Sequence, residues 1–298
     1  YYGKDLTFSV PILMMCALAG VISNWKKIPP FPFELATLPQ SIFRYLNLPV
    51  VSYAIPALIA IGICQMRKTG GFLAPIRGLF IPKAMRVLVK MQPADGGFLE
   101  AAPLTAFVSM CLAEGGFREH EVTRRCAKFL HDTVREDGAW PIDTNLSGWV
   151  TSLAAKVVEL SHPEDLAELI RSNATKEIHP FTGARHGGWG WSDLSGSVPD
   201  GDDTSGALVA LSYLSDGVVS QEIEEGLRWL MWLQNNDGGM PTFCKGWGKL
   251  PFDRSTPDIT AHAMLAMGLW LPYLSGELKK QVQKSYDGML DWMKRTTN

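Results

Sequence analysis

Along the chain, short amphipathic stretches alternate with glycine-rich turns in a fixed register. Lys83 to Phe98 reads KAMRVLVKMQPADGGF, Arg125 to Trp140 reads RCAKFLHDTVREDGAW, and Glu225 to Met240 reads EGLRWLMWLQNNDGGM. The three align without gaps. Each opens on a small residue (Ala84, Cys126, Gly226), followed three positions on by Val87, Phe129 or Trp229 and then by Leu88, Leu130 or Leu230. Apolar positions at that spacing predict an amphipathic helix. Next come Gln92, Val134 or Gln234, then Asp-Gly (Asp95-Gly96, Asp137-Gly138, Asp237-Gly238), then Phe98, Trp140 or Met240. The glycine stops the helix by supplying a left-handed or tight-turn backbone. The Gln is expected to bond turn amides left open at the helix end, and the terminal aromatic to pack as a staple against the neighbouring unit. A degenerate ending, GGWGW, runs from Gly187 to Trp191.

After each turn a second helix is expected to begin: at Pro103-Leu104-Thr105-Ala106, Asn145-Leu146-Ser147-Gly148, Asp202-Asp203-Thr204-Ser205 and Asp258-Ile259-Thr260-Ala261. Thr or Ser recurs at one place, two residues after Pro103, Asn145, Asp202 or Asp258, which reads as a capped helix start. Repeats of two helices each predict an all-α fold. Such hairpins close into an α/α toroid, a helical-hairpin barrel whose second helices form an inner ring with their N-termini around one cavity.

Composition narrows the function. The chain has 298 residues, 46% hydrophobic and only 19% charged, which is apolar for a soluble protein yet far from an integral membrane protein. Its 28 Lys and Arg against 30 Asp and Glu give a net charge of −2, which offers nothing to nucleic acid. Most of the 10 Trp, 13 Phe and 7 Tyr are core residues, but aromatic walls also suit an apolar cationic intermediate. The cysteines (Cys16, Cys64, Cys111, Cys126, Cys244) are scattered without CxxC spacing, so a reduced, intracellular setting is expected and a structural metal is not. The N-terminus has no signal-peptide pattern and opens on Tyr1, so a fragment or processed product is expected. The most apolar run, Leu48 to Cys64, is too short to span a bilayer, and Pro56 interrupts it. It reads as a buried core helix or as a monotopic membrane contact. The proline-rich Ile28 to Gln40 reads as an ordered surface loop.

The Gln…Asp-Gly…aromatic repeat resembles the QW motif of squalene–hopene and oxidosqualene cyclases. Gly187 to Leu211, GGWGWSDLSGSVPDGDDTSGALVAL, resembles their Asp-x-Asp-Asp-Thr region. Pro32 to Gly62 and Pro257 to Leu265 (PDITAHAML) carry further similarity, so the resemblance covers nearly the whole chain. Met240 departs from the motif's aromatic and Val134 from its Gln. Members have two toroids. The resemblance implies that residues 1–120 are the later part of the first toroid and 121–298 the earlier part of the catalytic one, incomplete without the C-terminal repeats.

It also implies an isomerase of the triterpenoid (hopanoid) type: protonation-initiated cyclisation of squalene or a similar linear triterpene, with no cofactor and no metal. Asp202 would be the general acid, with Asp200 and Asp203 as its neighbours. His262 would hydrogen-bond the acid and tune it, and Asp258, one helical turn earlier, would orient that histidine or relay the replacement proton. Trp191 and Phe243 match aromatics facing the reacting chain, while Trp189 and Trp149 are weaker candidates. The implied partners are an apolar polyene substrate and lipid, at the cytoplasmic side of a membrane in peripheral or monotopic contact, with a homodimer among the assemblies it allows.

The residues themselves support an acid. Three carboxyls crowded at one helix start cannot all ionise cheaply, so one keeps its proton at neutral pH. The plainer reading is that they cap a helix, as Asp often does in first turns. Their register in the repeats favours the acid. A class II diterpene cyclase would use the same motif on a prenyl diphosphate but needs a basic patch. A protein prenyltransferase β-subunit would need a zinc site of Asp, Cys and His, and the Asp-x-Cys element is missing beside Cys244 and His262. A toroid serving only as a binding scaffold, or an inactive remnant, is the non-enzymatic alternative.

Overall fold

The computed structural model describes residues 6–39, 42, 55–157, 162–179, 182–243, 245 and 253–296. The described residues form twelve α-helices and one short antiparallel ribbon, so the chain is all-α, as its repeats predict. They fall into two compact units that divide between Thr144 and Asn145.

The first unit contains α1 (Leu6–Leu18), α2 (Ile55–Thr69), α3 (Ala74–Gly78), α4 (Ile81–Met91), α5 (Ala102–Leu112) and α6 (Glu121–Thr133). Helix α2 is its centre, with Ile55, Ile59, Ile63 and Met66 all buried. The described part of the apolar Leu48–Cys64 run is therefore a core helix, and residues 48–54 lie outside the described residues. Pro56 is the second residue of α2 as described and does not break it. At the first turn its missing N–H costs nothing. No helix among the described residues is long and apolar enough to cross a membrane.

Helix α4 buries Ile81, Ala84, Met85 and Leu88, the stripe expected of a two-sided helix. At its end Gln92 Nε2 donates to the Gly96 carbonyl at 2.9 Å and to the Val122 carbonyl of α6 at 3.1 Å. The expected bond to turn amides is not the one formed. The groups left open at a helix C-terminus are carbonyls, so the amide must donate. The turn N–H goes instead to Asp95 Oδ1, which accepts from Gly97 at 2.9 Å. Gly96 has φ +95°, and a Cβ there would lie 2.5 Å from the Arg125 carbonyl. Turn and α6 are thus in direct contact. This docking places α6 in the first unit, so the compact units divide well beyond the expected residue 120.

The second unit contains α7 (Ser147–Ala154), α8 (Pro163–Ser172), α9 (Gly201–Leu214), α10 (Gln221–Leu233), α11 (Pro257–Trp270), α12 (Gly276–Thr296) and the ribbon of β1 (Met240–Pro241) and β2 (Ser255–Thr256). Helix α9 packs against α7, α8, α10 and α11, which is why every residue from Asp203 to Leu211 is buried. Gln234 repeats the role of Gln92. Its Nε2 donates to Gly238 at 2.7 Å and to the Ser285 carbonyl of α12 at 3.0 Å, and Ser285 Oγ returns a bond of 2.7 Å.

The middle copy behaves differently. Val134 has no amide to donate, and a Cβ on Gly138 would meet nothing within 4 Å. Trp140 is 51% exposed and donates to the Leu130 carbonyl of α6, the helix of its own repeat, so it does not staple a neighbour. Phe98, Trp189 and Met240 are buried as expected.

The recurring threonines are not caps. Thr105 Oγ1 accepts the Phe98 N–H at 2.9 Å, Thr204 the Trp189 N–H at 3.0 Å, and Thr260 the Met240 N–H at 2.9 Å. Each hydroxyl latches the first turn of a second helix to the residue that follows the paired glycines of the preceding repeat motif. Ser147 has another role, donating to Asp193 Oδ1 at 3.0 Å.

Candidate active site

The chain arrives at α9 extended, with Asp200 at φ −137° and ψ 175°. Its Oδ1 accepts the N–H groups of Asp202 and Asp203, both at 2.9 Å. This is the N-cap that an Asp before a helix is suited to form. The capping reading therefore holds for Asp200, which frees the side chains of the next two acids for other partners.

Those acids lie in different surroundings. Asp200 is buried, and burial pushes its carboxyl well above the usual range, with the adjacent Asp203 charge adding to the effect. Burial likewise pushes Asp203 up to about 6; the Asp202 charge adds to this, while the hydrogen bond with Asp200 and the nearby His262 oppose it. Three carboxyls on one turn thus retain a proton that separated carboxyls would lose. Asp202 is the part-exposed member, at 42% of its side chain, and its Oδ1 lies 2.7 Å from His262 Nδ1. His262 projects from α11 and is itself mostly covered. Gly206 lies beside the pair: a Cβ there would press on the Trp149 ring at 3.2 Å and would meet His262 Cε1 at an ordinary contact distance of 3.7 Å.

One aromatic ring touches the pair, and two more stack on each other in loops bonded to the same helix starts. Trp149 meets His262 edge-on with centroids 6.2 Å apart. Trp191 and Phe243 stack at 6.0 Å and 28°. Their loops are fastened to the helix starts: the Phe243 carbonyl accepts the Gly201 N–H at 3.1 Å, and the Trp191 carbonyl accepts Gly148 at 2.9 Å and Trp149 at 3.2 Å. Trp189 belongs to the core instead, buried with Nε1 on the Ile170 carbonyl at 2.6 Å.

Asp258 is exposed in the first turn of α11, where the Thr256 hydroxyl and first-turn amides hold its carboxyl below the usual range. No hydrogen bond joins Asp258 to His262 among the described residues. The imidazole Nδ1 turns to α9, across the helix pair, and not back along its own helix. Cys244 lies outside the described residues. No cluster of three or more His, Cys, Asp and Glu able to hold a metal occurs among the described residues. Gly206 was not separable by sequence from an ordinary helix residue, whereas Thr204 and Thr260 stood out by their register but not by the bonds they make.

No protein-family model matches the chain. Known proteins do. The terpene cyclase–glycosyl transferase fusion protein fsoA of Humicola fuscoatra is 26% identical over 265 residues, 76% of this chain and 20% of that protein. Squalene-tetrahymanol cyclase of Tetrahymena thermophila is 34% identical over 152 residues, 45% and 21% respectively. Sporulenol synthase of Bacillus subtilis is 34% identical over 95 residues, 28% and 15%. This chain is a relative of the terpene cyclases. It aligns with about a fifth of the length of the first two. Among solved structures, the apo type II terpene cyclase MstE from Scytonema aligns over 91% of this chain and 80% of its own, at 14% identity and TM-score 0.32.

Proposed function

We propose that the chain carries the proton donor of a squalene–hopene-type cyclase, with Asp202 as the acid. The observation that carries this reading is the 2.7 Å contact between Asp202 Oδ1 and His262 Nδ1 at a helix start where three carboxyls crowd together. With His262 protonated, its Nδ1–H donates to one Asp202 oxygen, leaving the proton of the carboxylic acid on the other. That proton passes to a terminal alkene carbon of a linear triterpene, the π electrons form the new C–H bond, and a tertiary cation remains. The imidazolium then stabilises the Asp202 carboxylate left behind. Successive alkenes attack the cation and close rings. A final proton loss to base conserves the formula, so the reaction is an isomerisation.

The cation must meet ring faces and no nucleophile. The stacked pair Trp191 and Phe243 supplies those faces in this reading, each worth about 0.5–2 kcal/mol where water is excluded. The substrate is lipid-borne, and we assign peripheral membrane contact, on the cytoplasmic side, to the exposed stretch Phe72, Leu73, Ile76, Leu79 and Phe80. The two units then correspond to the later part of one toroid and the earlier part of the catalytic one.

The test is Asp202→Asn in the native protein, with squalene and geranylgeranyl diphosphate offered in parallel. Cyclisation of squalene should fall at least about a thousandfold while stability stays within about 1 kcal/mol, since Asp202 is part-exposed. Retained activity overturns the acid assignment. Turnover of the diphosphate alone overturns the substrate class.

A further inference from the structure

Two helix starts of the second unit are capped by one short segment. Helix α9 uses Asp200 Oδ1, which accepts the N–H groups of its second and third residues. Helix α7 has no such side chain, because Leu146 stands at its N-cap and offers no side-chain acceptor. A main chain fills the same two positions instead: the Trp191 carbonyl accepts Gly148 at 2.9 Å and Trp149 at 3.2 Å. Asn145 Oδ1 accepts the other first-turn N–H, that of Ser147, at 2.8 Å. All three open amides of the turn are thus satisfied, two of them by one carbonyl. Asp200 lies nine residues beyond that carbonyl, so a single strap caps both helices.

The strap is held to itself and to α7. The Ser192 N–H donates to Ser197 Oγ at 3.2 Å, the Leu194 N–H to Ser192 Oγ at 3.1 Å, and the Asp200 N–H to the Trp189 carbonyl at 3.1 Å. Ser147 Oγ adds a further tie from α7 to Asp193 Oδ1 at 3.0 Å. Gly148 makes the close approach possible. A Cβ there would lie 2.8 Å from the Gly190 carbonyl oxygen and 3.1 Å from the Trp191 carbonyl carbon and oxygen. Those are backbone atoms, which no change of rotamer moves aside. At the corresponding place the other second helices carry Ala106, Ser205 and Ala261.

The two capped helices meet at one imidazole. From α7, the residue after Gly148 is Trp149, whose ring meets His262 edge-on at 6.2 Å and 81°. From α9, Asp202 bonds the same imidazole, whose side chain is 17% exposed. We propose that Gly148 and the Trp191 main-chain carbonyl are positioning elements that hold the Trp149 indole against His262, so that the strap keeps water away from the partner of the acid. The placement stands on geometry, and its effect on products rests on the acid reading of Asp202. In that reading the first cation forms beside Asp202. Water admitted past a displaced Trp149 gives the cation a lone pair to form a C–O bond and releases one proton to solvent, leaving an incompletely cyclised alcohol.

Two measurements test it. The first needs no turnover: the imidazole C–H resonances of His262, assigned by their loss in His262→Asn, are compared in the wild type, Gly148→Ala, Ser147→Ala and Trp149→Leu. Trp149→Leu removes the ring and sets the direction of the shift. Gly148→Ala should move the resonances the same way, and Ser147→Ala, at an exposed site that tolerates change, should do so by less. Resonances unmoved in Trp149→Leu, or moved there but unmoved in the other two, overturn the placement; if Gly148→Ala fails to fold, Ser147→Ala decides alone. The second measurement is the product profile with squalene. In the folded variants the ratio of incompletely cyclised alcohols to complete products should rise, by about tenfold in Gly148→Ala. A loss of all products in proportion assigns these residues a merely structural role and overturns the positioning. A wild type without any cyclisation overturns the acid reading instead, with the resonances still deciding the placement.

Discussion

Replacing Asp203 with Asn should make the protein more stable at neutral pH. The carboxyl is buried at the start of α9 and pushed up to about 6, chiefly by burial. Unfolded, it would titrate near the ordinary carboxyl value of about 4. The native state therefore holds a proton that the unfolded state has released between these values, and wild-type stability falls as pH rises through about 4 to 6. Two pH units correspond to about 3 kcal/mol. Asn never ionises and escapes this loss, but its hydrogen bond with Asp200 is weaker by about 1 kcal/mol. The net expectation is a gain of about 2 kcal/mol above pH about 7 and a small loss, about 1 kcal/mol, near pH 4. Urea unfolding across that range, followed by tryptophan fluorescence, reads the difference. A variant less stable than wild type at both ends, or a difference that does not change with pH, refutes the claim that burial of an ionising group is what perturbs Asp203.

Thr204→Val keeps the shape but leaves the buried Trp189 N–H without its acceptor, and should cost about 1–3 kcal/mol in denaturant unfolding, whereas Thr204→Ser should cost well under half as much. Gly238→Ala should cost more than Gly138→Ala. Both have positive φ, but a Cβ at 238 would lie 2.5 Å from the Gly288 carbonyl while one at 138 meets nothing. The strain common to both is about 1 kcal/mol, and only Gly238→Ala should add a further about 1–3 kcal/mol for the clash. Equal losses in thermal unfolding would show that the turn does not press on α12.

What the sequence revealed was what is local in the chain. Helix periodicity and the Asp-Gly stops depend on partners a few residues away and formed where the pattern put them, whereas the cap of α9 is Asp200 and not the recurring Asp202 or Thr204. The Gln and Thr positions were visible, but their partners were not. Gln92 bonds across to Val122 and Thr204 back to Trp189, contacts fixed by how one hairpin stacks on the next. Helical spacing made Asp258 a natural neighbour for His262, yet the imidazole bonds Asp202 of α9, across the helix pair. The Asp202–His262 pairing itself spans 60 residues and was legible only through resemblance to a family.

The latch from repeat ending to helix start has a consequence for how such a protein can diversify. The same hydroxyl-to-amide bond closes a loop of 7 residues at Phe98–Thr105, 15 at Trp189–Thr204 and 20 at Met240–Thr260. Lengthening a loop severalfold costs only about 1 kcal/mol in closure entropy, so the helices on either side stay put whatever is threaded between them. The shortest loop carries none of the proposed site residues, whereas the longer two contribute Trp191, Asp200, Asp202, Asp203 and Phe243. New chemistry can therefore be inserted at these closures as cassettes, leaving the helical scaffold unaltered.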